Sequence, residues 1–288
     1  MKLSLSTGSL YIYPLRTTFR LAREAGFDGV ELVVGPEVLW RGGAEVRRLA
    51  DDYSLTIFSL HPPLFHLPGW GDYRVATRKL IALAKELNSS LIVLHPPNAD
   101  EWKHPYSRAF LDALDMGQRV LAGTTIRLAL ENPAPPPRRG RLLTNPEALL
   151  NFAQAHDLPL VLDTAHAGSL PYTLGQAYEF CDGRLANVHF SDVAGSFPLP
   201  DILGLHTYFK RHQFPGEGRL PLADLLRRLA ADGYQGPVTL ELSPVALRIW
   251  WPPTVRRRLR QVVAWLQEML ESPHGQLTSF LDHDTIGM

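Results

Sequence analysis

The sequence predicts a single (β/α)8 barrel of the α/β class, and three observations carry that prediction. Short β-rich apolar runs alternate with longer segments of helical period from end to end, without a linker or composition break. Eight such units divide the 288 residues into repeats of about 36, a length that suits a closed barrel. No glycine-rich dinucleotide fingerprint follows the first strand, which disfavours the open, doubly wound sheet.

The first unit pairs a strand at 2–6 with a helix at 15–25, the second a strand at 28–33 with a helix at 43–53, and the third a strand at 55–60 with a helix at 72–88. That third helix is the clearest: Asp72 caps its start, Ala76, Leu80, Leu83, Ala84 and Leu87 form one apolar stripe, and Asn88 suits a left-handed end. The fourth strand, 90–94, contains the unbroken apolar run Leu91, Ile92, Val93 and Leu94, as expected of a strand buried on both faces, and its helix follows at 105–122. The remaining pairs are 126–130 with 146–156, 158–163 with 173–182, 185–191 with 221–232, and 237–242 with 254–271. The expected organisation is one catalytic barrel domain over 1–272 and a C-terminal tail over 273–288.

Composition bounds the function. Twenty-nine basic residues balance 29 acidic ones, so no global field recruits nucleic acid, although a local basic cleft stays open. The apolar content of 45% is that of a globular protein with a large core. The opening residues are too short and too polar for a signal peptide, no run is long enough to span a membrane, and Cys181 has no partner for a disulfide. Together these lead to the expectation of a cytoplasmic protein with a buried, inert cysteine.

Polar residues recur where the strands finish. Glu31 lies in the second strand, His61 ends the third and His95 the fourth. Glu131 and Asn132 end the fifth, Asp163 the sixth with His166 beyond it, His189 lies in the seventh before Asp192, and Glu241 lies in the eighth. In a barrel these converge at the C-terminal mouth, where barrel enzymes keep their active sites. Imidazoles and carboxylates gathered in one apolar mouth are costly to bury unpaired, and a divalent cation relieves that cost. Glu131, Asp163, His189 and Glu241 offer three carboxylates and one imidazole, which suits Mn²⁺, Co²⁺ or Mg²⁺, whereas His61, His95 and His166 shift the preference toward Zn²⁺. Any one of these histidines taken alone would read as a hydrogen-bonded core residue.

The ordered series LAREAGFDGVEL at 21–32, LHPP at 60–63 and 94–97, LALENP at 128–133, LVLDTAH at 160–166, VHFSD at 188–192, HQFPGEG at 212–218 and VTLEL at 238–242 resembles the xylose-isomerase-like barrel superfamily. That superfamily joins sugar isomerases and epimerases with the endonuclease IV type of DNA-repair enzyme. On the isomerase side, the resemblance implies a metal on Glu131, Asp163, His189 and Glu241, with an enediolate stabilised by the cation and Glu131 and Glu241 exchanging the proton. It also implies that His166 holds a substrate oxygen, and places Glu31 with the substrate-binding residues as an orienting group; a buried structural ion pair is the equal alternative for Glu31.

On the endonuclease side, the resemblance implies three zinc ions. His61, His95 and Glu131 would hold the first, Glu131, Asp163, His189 and Glu241 the second, and His166 with an Asp-x-His pair the third. His212 matches the histidine of that pair, but Lys210 stands in the aspartate position, which weakens the tri-zinc reading.

The long segment 193–220 carries Lys210, Arg211 and His212, and its Pro215–Gly218 turn is expected over the mouth. Lys210 and Arg211 are candidates for a phosphate or carboxylate on the substrate, with a solvated rim as the alternative. The proline-rich loop PAPPPRRGRL at 133–142 carries Arg138, Arg139 and Arg141, read as solvated loop arginines, with contact to an anion as the alternative. Trp40, Trp70 and Trp102 are candidates for stacking on sugars or bases, or for packing. The RRRLR run at 256–260 is read as a solvated helix face, and Trp250 and Trp251 as a seal of the barrel end or a contact in a homo-oligomer.

The leading reading is a metal-dependent sugar or sugar-derivative isomerase or epimerase, with a small-molecule sugar or sugar phosphate as partner and no membrane. A zinc phosphodiesterase acting on abasic DNA is the first alternative and a non-catalytic sugar- or metal-binding barrel the second.

Overall fold

The computed structural model describes residues 1–135, 141–181, 183–196 and 205–271. Eight parallel strands close into a barrel in chain order: β1 (Lys2–Ser6), β2 (Gly29–Val33), β3 (Thr56–His61), β4 (Leu91–Leu94), β5 (Arg127–Glu131), β6 (Leu160–Asp163), β7 (Leu185–Phe190) and β8 (Pro237–Leu240). The ring closes where β1 pairs with β8, Leu5 standing beside Leu240. Outer helices follow each strand, at Leu15–Ala25, Gly43–Asp52, Tyr73–Leu87, Pro105–Leu121, Pro146–Ala155, Leu174–Glu179, Leu222–Ala231 and Pro252–Glu271. The third carries the caps the sequence predicts: Asp72 accepts from the Val75 amide, and Asn88 turns left-handed at φ 55°.

Among the described residues, five further short helices escape the sequence reading: Thr7–Leu10, Pro36–Arg41, Thr164–Ala167, Leu205–Phe209 and Pro244–Leu247. Each lies in a loop that leaves the C-terminal end of a strand. With only four to six residues, none spans enough turns to print a helical period.

Strand alternation sorts the barrel into two environments. Leu5, Leu32, Leu60, Ile92, Leu130, Leu162, Val188 and Leu240 face outward and join the helices in one large core. Burying each such side chain stabilises the fold by about 1.5–3 kcal/mol. The opposite face of each strand fills the lumen. Leu91, Val93, Ala129 and Val161 make a separate apolar cluster there under β4–β6. Under β7, β8, β2 and β3 the lumen is polar: Asn187, Thr239, Glu31 and Ser59 are wholly buried.

The Gly216–Leu220 part of the segment after β7 is pinned. The buried Asp192 carboxylate accepts from the backbone amides of Val193, Gly216, Gly218 and Leu220, at 2.7–3.1 Å. A Cβ on Gly218 would run into that carboxylate, so the turn needs glycine there. Arg258 of the last helix reaches the same loop, binding both oxygens of Glu217 and lying over the Phe214 ring at 4.1 Å. This corrects the solvated reading of RRRLR: Arg256 is exposed and pairs with Glu24, but Arg258 is buried.

Trp70 is also buried, and Trp102 stacks on Phe152 at 5.0 Å, whereas Trp40, Trp250 and Trp251 are exposed. Cys181 is buried, which pushes its thiol up to about 12. Arg138, Arg139 and the tail 273–288 lie outside the described residues.

Candidate metal centre

The lumen-facing positions at the strand ends carry the predicted polar set. His61 ends β3, His95 follows β4, Glu131 ends β5, Asp163 ends β6, His189 lies in β7 and Glu241 follows β8. Their side chains converge. His189 Nδ1 lies 2.9 Å from Glu241 Oε2 and 3.7 Å from Glu131 Oε1. His95 Nε2 lies 3.0 Å from both His61 Nε2 and Glu131 Oε2. His166 Nδ1 lies 3.2 Å from Glu131 Oε1 and 3.6 Å from Asp163 Oδ2, and His212 Nδ1 lies 4.0 Å from that Asp163 oxygen.

The donor set fits a divalent cation. Glu131 Oε2, Asp163 Oδ2, His189 Nδ1 and Glu241 Oε2 are all buried, and each lacks a hydrogen-bond partner among the described residues. Buried polar atoms are seldom left so, and here one comes from each member of the predicted quartet. His189 and Glu241 approach to 2.9 Å without hydrogen-bond geometry, close to the spacing of about 3 Å that neighbouring ligands roughly 2.1 Å from a shared ion would have. Four overlapping groups bring such donor atoms within 4.8 Å: His61/His95/Glu131, Asp163/His166/His212, Glu31/His189/Glu241 and Glu131/Asp163/His189.

Electrostatics gives these groups their charge. Burial alone raises the Glu131 carboxyl, but His95, His189 and His166 outweigh it and hold the group well below the usual carboxylate range. Glu241 is likewise driven down, chiefly by His189, against its burial. Burial lowers His166, yet Asp163 and Glu131 carry it up to about 9. His189 moves up for the same reason, with Glu31 and Glu241 as the leading charges. His61 goes down, because burial and His95 dominate its environment. Protons on buried imidazoles thus supply the positive charge that the carboxylates require.

Several of these side chains are held from behind. Glu31, fully buried below the mouth, accepts from His189 Nε2 at 2.9 Å and from Ser59 Oγ at 2.8 Å. Asn187 bridges Glu31 and Ser59, and Thr239 donates to Asn187 Oδ1 at 2.9 Å. An imidazole that gives one N–H to a carboxylate presents its other nitrogen as a lone pair, the usual support of a metal-ligating histidine. Asn132 clasps Asp163: its Oδ1 accepts from the Asp163 amide at 2.6 Å and its Nδ2 donates to the Asp163 carbonyl at 3.1 Å. The Asn132 carbonyl faces His166 Nδ1 at 3.0 Å. His61 Nδ1 faces the Pro62 carbonyl at 2.7 Å, which directs Nε2 inward.

A cavity of about 250 Å³ lies over the cluster, lined by His61, His95, Glu131, His166, His212 and Glu241. Glu31 is spent on His189 beneath that cavity and does not line it. Lys210 and Arg211 do not line it either; Arg211 is buried and donates to Thr207 Oγ1 at 3.1 Å. Ser59, Asn187 and Thr239 went unread in the sequence, although they sit two residues before His61, His189 and Glu241 on the same face of their strands. Among the described residues, no helix is long and apolar enough to cross a membrane.

Comparison with known proteins agrees with this architecture. Fructoselysine 3-epimerase of Shigella flexneri is 23% identical over 84% of this chain and 90% of its own length. A 3-dehydroshikimate dehydratase of Pseudomonas aeruginosa is 30% identical over 76% of this chain, a match confined to 34% of that longer protein. Among solved structures, an L-ribulose 3-epimerase superposes with a TM-score of 0.70 at 19% identity, over 94% of this chain and 95% of the other. A family model described as xylose isomerase-like TIM barrel matches residues 19–269. With its closed eight-stranded barrel and with the family's pattern running through most of its length, the chain belongs to the xylose isomerase-like TIM barrel family.

Proposed function

We propose that this protein is a metal-dependent isomerase or epimerase of a sugar or sugar derivative, working through Glu131 and Glu241. The observation that carries the reading is the convergence of four orphaned, buried donor atoms from Glu131, Asp163, His189 and Glu241. Those four residues would hold a divalent cation, Mn²⁺, Co²⁺, Mg²⁺ or Zn²⁺, which supplies Lewis-acid stabilisation of negative charge on a substrate oxygen.

The protein's own groups do the rest. Glu131 and Glu241 line the cavity as ionised carboxylates, so either can accept a proton from a substrate carbon and the other, once protonated, can return one. His166, with Nδ1 turned to the Asn132 carbonyl, presents its remaining edge to the cavity as a binder of a substrate oxygen. Glu31, Ser59, Asn187 and Thr239 position His189. The epimerase relative supports this reading, and the dehydratase relative is consistent with the same first step, abstraction of a proton beside a carbonyl.

The test is incorporation of solvent deuterium into ketose and aldose substrates by the metal-loaded protein. Exchange is expected in the wild type and lost in Glu131→Gln and Glu241→Gln; exchange retained in both variants would overturn the two-glutamate mechanism.

The groupings His61/His95/Glu131 and Asp163/His166/His212 favour a second reading, the zinc phosphodiesterase acting on abasic DNA. It requires incision of an abasic duplex with binding that weakens steeply as salt rises. A protein that shows neither exchange nor incision would be the binding-only barrel.

A further inference from the structure

A second cavity, of about 560 Å³, runs from the mouth outward between the loops after β3 and β4 and the helices Tyr73–Leu87 and Pro105–Leu121. It shares Leu64, Phe65 and His95 with the cavity over the cluster, so the two meet at the His95 ring. Trp70, Tyr73, Tyr106 and Phe110 give it aromatic walls, and no carboxylate lines it among the described residues.

Its cation is Arg141. The backbone around this residue is fixed: Leu142 N–H donates to the Ala99 carbonyl at 2.8 Å, and the Arg141 carbonyl accepts from the Thr144 hydroxyl at 2.8 Å. The guanidinium donates through Nη2 to the Pro96 carbonyl at 3.3 Å, while its buried Nε has no hydrogen-bond partner among the described residues. None of the described carboxylates pairs with it within 4.0 Å. Burial lowers its pKa, but an arginine stays charged at any working pH. A partly buried guanidinium with donors to spare and no carboxylate in contact, Glu131 acting on it only from beyond 4.0 Å, is costly, and a carboxylate or phosphate answers it with charge-assisted hydrogen bonds. Of the two readings the sequence offers for Arg141, the solvated one does not fit its buried Nε, and contact with an anion remains.

We infer that this cavity is the outer arm of the substrate site and that Arg141 receives a substrate's anionic group, which makes the substrate class an acidic or phosphorylated sugar derivative. The inference rests on the proposed isomerase site for the other end of the ligand. The cavity over the cluster admits a short polyol end, and the arm, whose volume falls within the 300–1,000 Å³ range of small-molecule sites, takes the remainder. Lys210 and Arg211 line neither cavity, whereas Arg141 lines the arm, so the anion contact is assigned to Arg141.

The test is calorimetric titration of the full, metal-free chain, so that an anion preference cannot arise from a bound cation. The probes are xylulose 5-phosphate against xylulose, and xylonate against xylitol. At least one anionic member is expected to bind about tenfold or more tightly than its neutral partner. The phosphate and carboxylate pairs tell the two sources apart. Arg141→Leu should abolish the preference by weakening the anionic partner far more than the neutral one, and Arg141→Lys should retain part of it in a protein that keeps the cation. Equal binding of charged and neutral partners by the wild type, or a preference that survives in Arg141→Leu, would overturn the assignment. Deuterium exchange separates this outcome from the parent reading. Exchange without an Arg141-dependent preference refutes the arm alone, whereas the preference without exchange on any probe refutes the isomerase site and leaves the anion pocket standing.

Discussion

The two halves of the barrel mouth hold their polar residues in different ways. On the β7–β8 side, His189 is wholly buried over a polar floor, with Glu31, Ser59, Asn187 and Thr239 linked beneath it. On the β4–β6 side the floor is Leu91, Val93, Ala129 and Val161, and the His95 side chain above it remains 42% exposed. A ligand fixed by a buried hydrogen-bond network is set in place before an ion arrives, and little ordering remains to oppose binding. A half-exposed imidazole over an apolar floor has no such fixing. It is better suited to meeting substrate, or a weaker second ion, at the junction of the two cavities.

This contrast is testable, and the largest effect should come from the chemistry. Glu241→Gln is expected to slow solvent-deuterium exchange by about 10²–10⁴-fold, and His95→Gln by about tenfold or less, as followed by NMR of the recovered sugar. Equal losses in the two variants would erase the distinction between the halves. Next comes the floor. Glu31→Gln should weaken metal binding by about 10–100-fold in a competition with a chelator dye, because the carboxylate supporting His189 is gone. Val93→Ala, under the opposite half, should instead cost about 2 kcal/mol in urea unfolding with metal affinity unchanged.

A smaller effect is expected from the loop after β7. Gly218→Ala collides with the Asp192 carboxylate that gathers four backbone amides, and should cost about 1–3 kcal/mol of stability. The smallest is a pH effect in the metal-free chain. His166 is raised to about 9 in the fold, above its unfolded value near 6.5, so its contribution is complete below pH about 6.5 and disappears as pH rises through about 9. Thermal unfolding across that window should show a decline that is shallower in His166→Ala.

The placement of the candidate donors was legible in the sequence because they end strands, and strand ends can be read from apolar runs. His61, Glu131, Asp163 and His189 all fall on the lumen side of strands whose outward residues are leucine, valine or phenylalanine. The polar floor was not legible. Ser59, Asn187 and Thr239 look like residues of a solvated strand face, and only closure of the barrel shows that their common side is the lumen. Arg141 and Arg258 were hidden for another reason: whether a loop or helix arginine is solvated depends on what packs over it, here Pro96 and Glu217, from segments distant in the chain. Lys210 and Arg211 drew attention through their place in a long loop, but neither lines the cavity over the cluster.

The most direct test of a single pre-formed metal centre is the metal content of the protein after exhaustive dialysis, in the wild type and in Asp163→Asn and His95→Ala. One tightly held divalent ion per chain is expected in the wild type, lost in Asp163→Asn and kept in His95→Ala. Three tightly held zinc ions per chain, or loss of the ion on removing His95, would contradict it.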